Sequence, residues 1–135
     1  MFWLSHHPPN EFDRCYRFGS THVCARCLGT YPTLFAGIVL QVLFRAPLEH
    51  PLDLALGVAL VLPATLDWAW GRFNPHRFSN GWRTATGVVL GLGLARSLFI
   101  HLQRPFPQVL LVQALVVTGV AVPVILAAYL RKQRR

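Results

Sequence analysis

Acidic residues are scarce in this chain of 135 residues, which has 5 Asp plus Glu against 13 Lys plus Arg and a formal net charge of +8. Charged residues of either sign make up only 13% of the chain, whereas a soluble domain usually carries about 25%. A nucleic-acid-binding protein clusters its basic residues on a polar face, but here the arginines punctuate long apolar runs. The composition therefore favours a membrane protein and argues against a nucleic-acid partner.

Cysteine is also sparse. The chain has 3 cysteines, too few and too unevenly placed for a disulfide scaffold. The first ten residues contain no basic segment and no small-residue cleavage site, so we expect no signal peptide.

Four long apolar runs dominate the rest of the chain, and a helix needs roughly 20 apolar residues to cross the hydrocarbon core of a membrane. The runs cover residues 28–44, 52–70, 84–102 and 109–130. They are continuous rather than periodic, so burial on every side is expected. A soluble helical bundle is the alternative, but the runs leave no polar face for water. The sequence predicts one domain, an all-α integral membrane four-helix bundle, preceded by a short Cys/His-rich segment over residues 1–27.

The basic residues predict how the bundle is oriented. With four spans both termini lie on one side, and that side would hold ten basic residues: Arg14, Arg17, Arg26, Arg72, Arg77, Arg83, Arg131, Lys132, Arg134 and Arg135. The other side would hold Arg45 and Arg104, with Arg96 reaching toward it. Because positive charge accumulates on the cytoplasmic side, we expect both termini to be cytoplasmic, in a bacterial-type inner membrane.

A cluster of cysteine and histidine residues precedes the first span. Cys24 and Cys27 are separated by two residues, a spacing that lets both thiolates bind one metal ion from a single turn of the chain. Zinc prefers four thiolate or imidazole ligands. Cys15 and either His6 or His7 would complete the set, and His22 is a competing ligand. The alternatives are buried free thiols and a redox dithiol; a structural disulfide is not expected on the cytoplasmic side. Zinc is the expected metal.

Several short motifs resemble the domain of unknown function 2085 family, which comprises small prokaryotic membrane proteins. The matching segments are Ser5-His6-His7, Arg14-Cys15-Tyr16, Gly19, Cys24-Ala25-Arg26-Cys27-Leu28-Gly29-Thr30-Tyr31, Pro63, Asp67 and Ser79-Asn80-Gly81-Trp82-Arg83, with Thr86-Gly87. Ser5 stands where the family has a cysteine, and Cys15 stands where it tends to have serine. The resemblance implies a polytopic membrane protein with a Cys/His cluster, and it implies no activity.

Polar residues around the end of the second span and the start of the third, together with two arginines ahead of the first span, form a second candidate site. Its members are Asp67, Arg72, Asn80, Arg83, Arg14 and Arg26. A carboxylate near the membrane interface is a functional candidate, although Asp67 could equally pair with Arg83 or Arg72 to anchor the loop. The arginines could bind a phosphate, for example that of a lipid headgroup, or only extend to the membrane surface.

Two charges near the other ends of the spans are expected to have a structural role. Arg96 lies inside the third span and Asp53 begins the second, and pairing them would lower the cost of burying Arg96. For the whole protein the sequence favours an accessory or structural subunit of a larger membrane complex, in contact with lipids and with other membrane subunits. The alternative is a metal-dependent membrane enzyme that acts on a lipid-phosphate headgroup.

Overall fold

The computed structural model describes residues 9–74 and 78–133. A short 3-10 helix (Pro9–Arg14) leads into a hairpin of two antiparallel strands, β1 (Cys15–Phe18) and β2 (Thr21–Cys24). Four helices follow, α1 (Ala25–Leu43), α2 (Asp53–Phe73), α3 (Asn80–Gln103) and α4 (Gln108–Gln133). Each helix is long and apolar enough to cross a membrane, which confirms the predicted all-α membrane bundle.

Three of the four helices, α1, α3 and α4, begin earlier than the apolar runs that predicted them. α1 begins at Ala25, so Arg26 and Cys27 are in its first turn rather than ahead of it. α3 begins at Asn80 because Ser79 caps it: the Ser79 hydroxyl accepts a hydrogen bond from the Trp82 backbone N–H at 3.2 Å. Polar residues in the first turn of a helix are not part of the apolar run, but they are part of the helix.

α3 is the centre of the bundle and packs against both α1 and α2. Glycines allow the close approach of α1 and α3: a Cβ atom built on Gly29, Gly87 or Gly91 would lie less than 3.0 Å from a backbone atom of the other helix. Gly57 and Gly93 similarly face neighbouring helices. Small residues at helix interfaces are typical of membrane bundles, where close backbone packing replaces the hydrophobic effect.

α4 lies at the edge of the bundle, where it packs against α2 and makes few contacts with α3. Only 11% of the apolar window of α4 is buried, against 44% for α3. The expectation of burial on every side is therefore wrong for contacts within the chain. A continuous apolar run indicates a helix that is surrounded by apolar material. In a membrane, the lipid supplies that material.

Candidate functional site

The hairpin places two cysteines opposite each other. The register pairs Cys15 with Cys24 at the open end of the hairpin and Phe18 with Thr21 beside the turn. Gly19 occupies the turn with φ +60, a left-handed conformation that glycine adopts without a steric penalty. Residues directly opposite each other in antiparallel strands have Cβ atoms about 4.5–5.5 Å apart, so the hairpin makes neighbours of two thiols that are nine positions apart.

The third cysteine joins this pair from α1. Cys24 precedes the first residue of α1, and Cys27 follows within the first turn, where its side chain interacts with that of Cys24. Cys15 and Cys24 are buried, and Cys27 is half-buried. Within residues 9–74 and 78–133, however, no three His, Cys, Asp or Glu side chains form a group able to hold a metal ion. His6 and His7 lie outside the described residues, so the zinc site stays a prediction.

His22 shares the hairpin with the cysteines. It lies two residues before Cys24 on β2 and therefore on the same face of the strand. Its ring stacks on Phe12, with ring centroids 4.1 Å apart and an angle of 11° between the planes. This stacking ties the hairpin to the 3-10 helix.

The start of α3 fixes the hairpin to the bundle. The side-chain amide of Asn80 donates hydrogen bonds to the backbone carbonyls of Asp13 (3.0 Å) and Cys15 (3.3 Å). The Thr84 hydroxyl donates to the carbonyl of Ala25 at 3.0 Å and lies 3.4 Å from the Tyr16 hydroxyl. We call this the hairpin end of the bundle, where α1 and α3 begin and α2 ends.

A buried ion pair lies at the hairpin end. Arg26 of α1 donates from Nη2 to Oδ2 of Asp67 on α2. The Asp67 side chain is 2% exposed and that of Arg26 is 23% exposed. The partner of Asp67 is thus Arg26, whereas the sequence suggested Arg83 or Arg72. The difference arises because α1 begins at Ala25, which brings Arg26 into the helix and beside α2.

Arg83 and Arg14 lie close to this pair. The charges that act on Arg83 are those of its neighbours Arg14, Asp67, Asp13 and Arg26. Among the side chains that the structure describes, three guanidinium groups against two carboxylates leave one net positive charge in this cluster. Arg14 donates to the backbone carbonyl of Gly71 at 3.4 Å. Arg72, by contrast, is exposed in the last turn of α2.

A second ion pair lies toward the opposite end of the bundle. Arg96 donates two hydrogen bonds to the Asp53 carboxylate, and it also donates to the carbonyl of Pro47 at 2.8 Å and to Gln41 Oε1 at 3.2 Å. The Gln41 amide donates to the Gly37 and Ala95 carbonyls. Arg96 therefore joins α1, α2, α3 and the loop between the first two helices.

Sequence reasoning missed the role of Gln113. This residue of α4 is 3% exposed, and its Nε2 donates to the carbonyls of Gly57 (2.9 Å) and Gly93 (3.4 Å). It thereby ties α4 to α2 and α3. A lone glutamine in an otherwise apolar run was the available signal, because amide side chains in membrane helices usually bond to another helix.

A cleft of about 530 Å³ separates α2, α3 and α4. Gln113 lies near the end of the cleft that is distant from the hairpin, and Arg26 and Trp68 line it at the hairpin end. The remaining lining is almost entirely apolar.

Four apolar helices, with ion pairs between α1 and α2 and between α2 and α3 and a buried glutamine that joins α4, define a polytopic integral membrane protein. Residues 12–97 match the model of the DUF2085 family, described as a predicted membrane protein, and the chain belongs to that family. The match confirms the resemblance; it covers the hairpin, α1, α2 and most of α3, and ends before α4. No curated protein and no solved structure matches the chain.

Proposed function

We propose that this protein is an accessory, non-enzymatic subunit of a larger membrane complex, and that α4 docks on a helix of another subunit. The observation that carries the proposal is the environment of Gly119. This glycine lies in the middle of α4, where a Cβ atom would meet nothing within 4 Å.

Gly119 differs from the glycines that pack the bundle. A Cβ built on Gly29, Gly37, Gly57, Gly87, Gly91 or Gly93 would lie 3.0 Å or less from a neighbouring helix. Each of these glycines therefore permits a contact within the chain. A glycine inside a helix costs about 1 kcal/mol relative to alanine, and the contacts of this chain give no packing reason for that cost at Gly119. A helix from another subunit would provide one, since glycine allows close helix approach in membranes.

The surroundings of Gly119 fit a docking face. Leu115, Val122 and Leu126 flank it on the outward side of α4, and each is more than half exposed. Gln113 and Val109, on the opposite side of the helix, are buried against the bundle. One face of α4 therefore packs against the bundle, and the opposite face is exposed.

The polar groups at the hairpin end support a structural role for that region. The bonds of Asn80 and Thr84 fasten the hairpin to α3, and the Arg26–Asp67 pair joins α1 to α2. These bonds explain the position of the hairpin by structural contacts, and the explanation needs no catalytic role for these residues.

The test is site-specific cross-linking in native membranes. A photo-reactive amino acid at Leu115 should give a discrete cross-linked species larger than the 15.2 kDa chain, and its mass should identify a different membrane protein. Gly119→Leu should abolish this species, because the added side chain blocks close approach. Gly71→Leu is the matched control, since a Cβ at Gly71 also meets nothing within 4 Å, and it should leave the species intact. Cross-links that persist in Gly119→Leu, or that form only to lipid, would refute the docking face.

A metal-dependent enzyme that acts on a lipid-phosphate headgroup is the second candidate. It is favoured by the three neighbouring guanidinium groups of Arg14, Arg26 and Arg83, which suit phosphate oxygens. Purified protein given zinc and a phosphate-bearing lipid should then release product, and Arg83→Gln should slow the release. Equal rates for the two proteins would dismiss this candidate.

A further inference from the structure

The cleft between α2, α3 and α4 has the volume of a ligand pocket, since such pockets commonly measure about 300–1,000 Å³. It exists because α4 packs on α2 and scarcely touches α3, so a gap remains between α3 and α4 on the side that faces the membrane. Gln113 bonds to Gly57 and Gly93, which holds the helices together near one end.

The cleft is elongated along α4. Its lining there runs from Leu110 to Ala121, which is 11 helical steps or about 16 Å. An apolar cleft of this length suits an extended hydrocarbon chain.

The end of the cleft beside the hairpin is positively charged. Arg26 lines it, and while its Nη2 pairs with Asp67, its buried Nε has no hydrogen-bond partner among the described residues. With the neighbouring Arg14, Arg83 and Asp13, the described side chains at this end carry one net positive charge. Trp68 lines the same end, and indole rings favour the level of lipid headgroups. An anionic group at this end would complement both the charge and the unpaired donor.

We propose that the cleft binds one anionic phospholipid, with its phosphate at Arg26 and one acyl chain between α3 and α4. The arrangement matches the two chemical parts of such a lipid to the two parts of the site. The apolar walls receive the chain, and the guanidinium groups receive the phosphate through charge-assisted hydrogen bonds. This site is separate from the outward face of α4 that carries Gly119.

The experiment titrates the full-length protein in neutral detergent with phosphatidylglycerol or with phosphatidylcholine of the same chains, and native mass spectrometry counts the bound lipids. Phosphatidylglycerol should bind one to one and about fivefold more tightly than phosphatidylcholine, the difference expected from one net charge near the membrane surface. Ala121→Phe, which fills the cleft, should abolish the binding. Ala127→Phe is the matched control because Ala127 is an exposed residue of α4 outside the cleft lining, and it should bind as the unaltered protein does.

A charge variant tests the headgroup end. Arg83→Gln removes one positive charge from the cluster and leaves the Arg26–Asp67 pair intact, and it should bring phosphatidylglycerol to the affinity of phosphatidylcholine. Excess inorganic phosphate should leave the lipid bound. Equal affinity for the two lipids, unaltered binding by Ala121→Phe, or displacement of the lipid by inorganic phosphate would each overturn the proposal.

A second measurement compares the two lipids in the unaltered protein. Phosphatidylglycerol brominated on its chains should quench the tryptophan fluorescence of the unaltered protein in vesicles more strongly than brominated phosphatidylcholine does. The difference between the lipids should disappear in Trp68→Phe, because Trp68 lines the cleft. Equal quenching by both lipids in the unaltered protein would also refute a preference for an anionic phospholipid.

Discussion

Arg96 and Asp53 form a two-pronged ion pair, with Arg96 Nε 2.8 Å from Asp53 Oδ1 and Nη2 2.7 Å from Oδ2. Their side chains are 20% and 16% exposed. The pair joins α3 to α2, and two parallel bonds fix the angle between the groups as well as their distance. This geometry makes Arg96 a structural element of the bundle.

Breaking this pair should be costly. Arg96→Leu leaves the Asp53 carboxylate without its guanidinium partner and should lower the free energy of unfolding by about 3 kcal/mol. Adding Asp53→Asn should restore part of the loss, because the stranded charge is removed. Denaturant unfolding in detergent of both single variants and the double variant measures the coupling, and strictly additive losses would show that the pair contributes nothing.

The exposed pair between Arg104 and Glu49 is the matched control for this experiment. Its side chains are 61% and 80% exposed, so water screens the charges. Arg104→Leu should cost less than about 1 kcal/mol. A loss as large as that of Arg96→Leu would mean that burial does not decide the strength of these pairs.

Glycines of α3 and α4 should respond oppositely to the same substitution. Gly87→Ala places a methyl group against the Arg26 carbonyl and should destabilise the bundle by about 1–3 kcal/mol through overpacking. Gly119→Ala meets open space and should stabilise the isolated chain by up to about 1 kcal/mol through helix propensity. Thermal unfolding in detergent measures both. A loss of stability in Gly119→Ala would indicate that α4 packs differently from the arrangement described.

Asn80 should determine how firmly the hairpin is held. Asn80→Ala removes the hydrogen bonds to the Asp13 and Cys15 carbonyls, each worth about 1 kcal/mol. Amides of β1 and β2 should then exchange hydrogen faster, while amides in the middle of α3 should be unchanged. Uniformly faster exchange would instead show that the whole bundle depends on this side chain.

Alkylation should distinguish the three interpretations of the cysteines. If Cys24 and Cys27 bind zinc, they should resist alkylation until a chelator is added, and Cys24→Ser or Cys27→Ser should release the metal. Cys15→Ser should have an equal or smaller effect. Buried free thiols would be indifferent to the chelator, and a redox pair would become reactive only after reduction. Metal analysis that finds no zinc in the purified protein would dismiss the zinc prediction.

Reporter fusions should reveal the orientation. Ten basic residues on the side of the termini against three on the other predict a cytoplasmic reporter after Arg135 and an external one inserted near Leu48. Reversed signals would place the hairpin outside, where Cys15 and Cys24 could form a disulfide.

The sequence alone determined the number and type of the main elements. Four nearly uncharged apolar runs in 135 residues indicate helices that cross a membrane, since a backbone in hydrocarbon must bond internally. The number and type of these elements follow from composition, so they can be predicted without any knowledge of packing. The family motifs around Cys24 and Cys27 were likewise readable from their order along the chain.

Only the tertiary structure decided which residues meet. The hairpin brings Cys15 opposite Cys24, and nothing in the short segments "CYRF" and "THVC" marks them as strands of one register. Arg26 rather than Arg83 pairs with Asp67 because α1 begins at Ala25 and because α1 and α2 both pack against α3. The cleft beside Gln113 depends on α4 packing against α2 and away from α3. Such relations arise from helix crossing and glycine contacts between distant positions, which hydrophobicity along a single run does not encode.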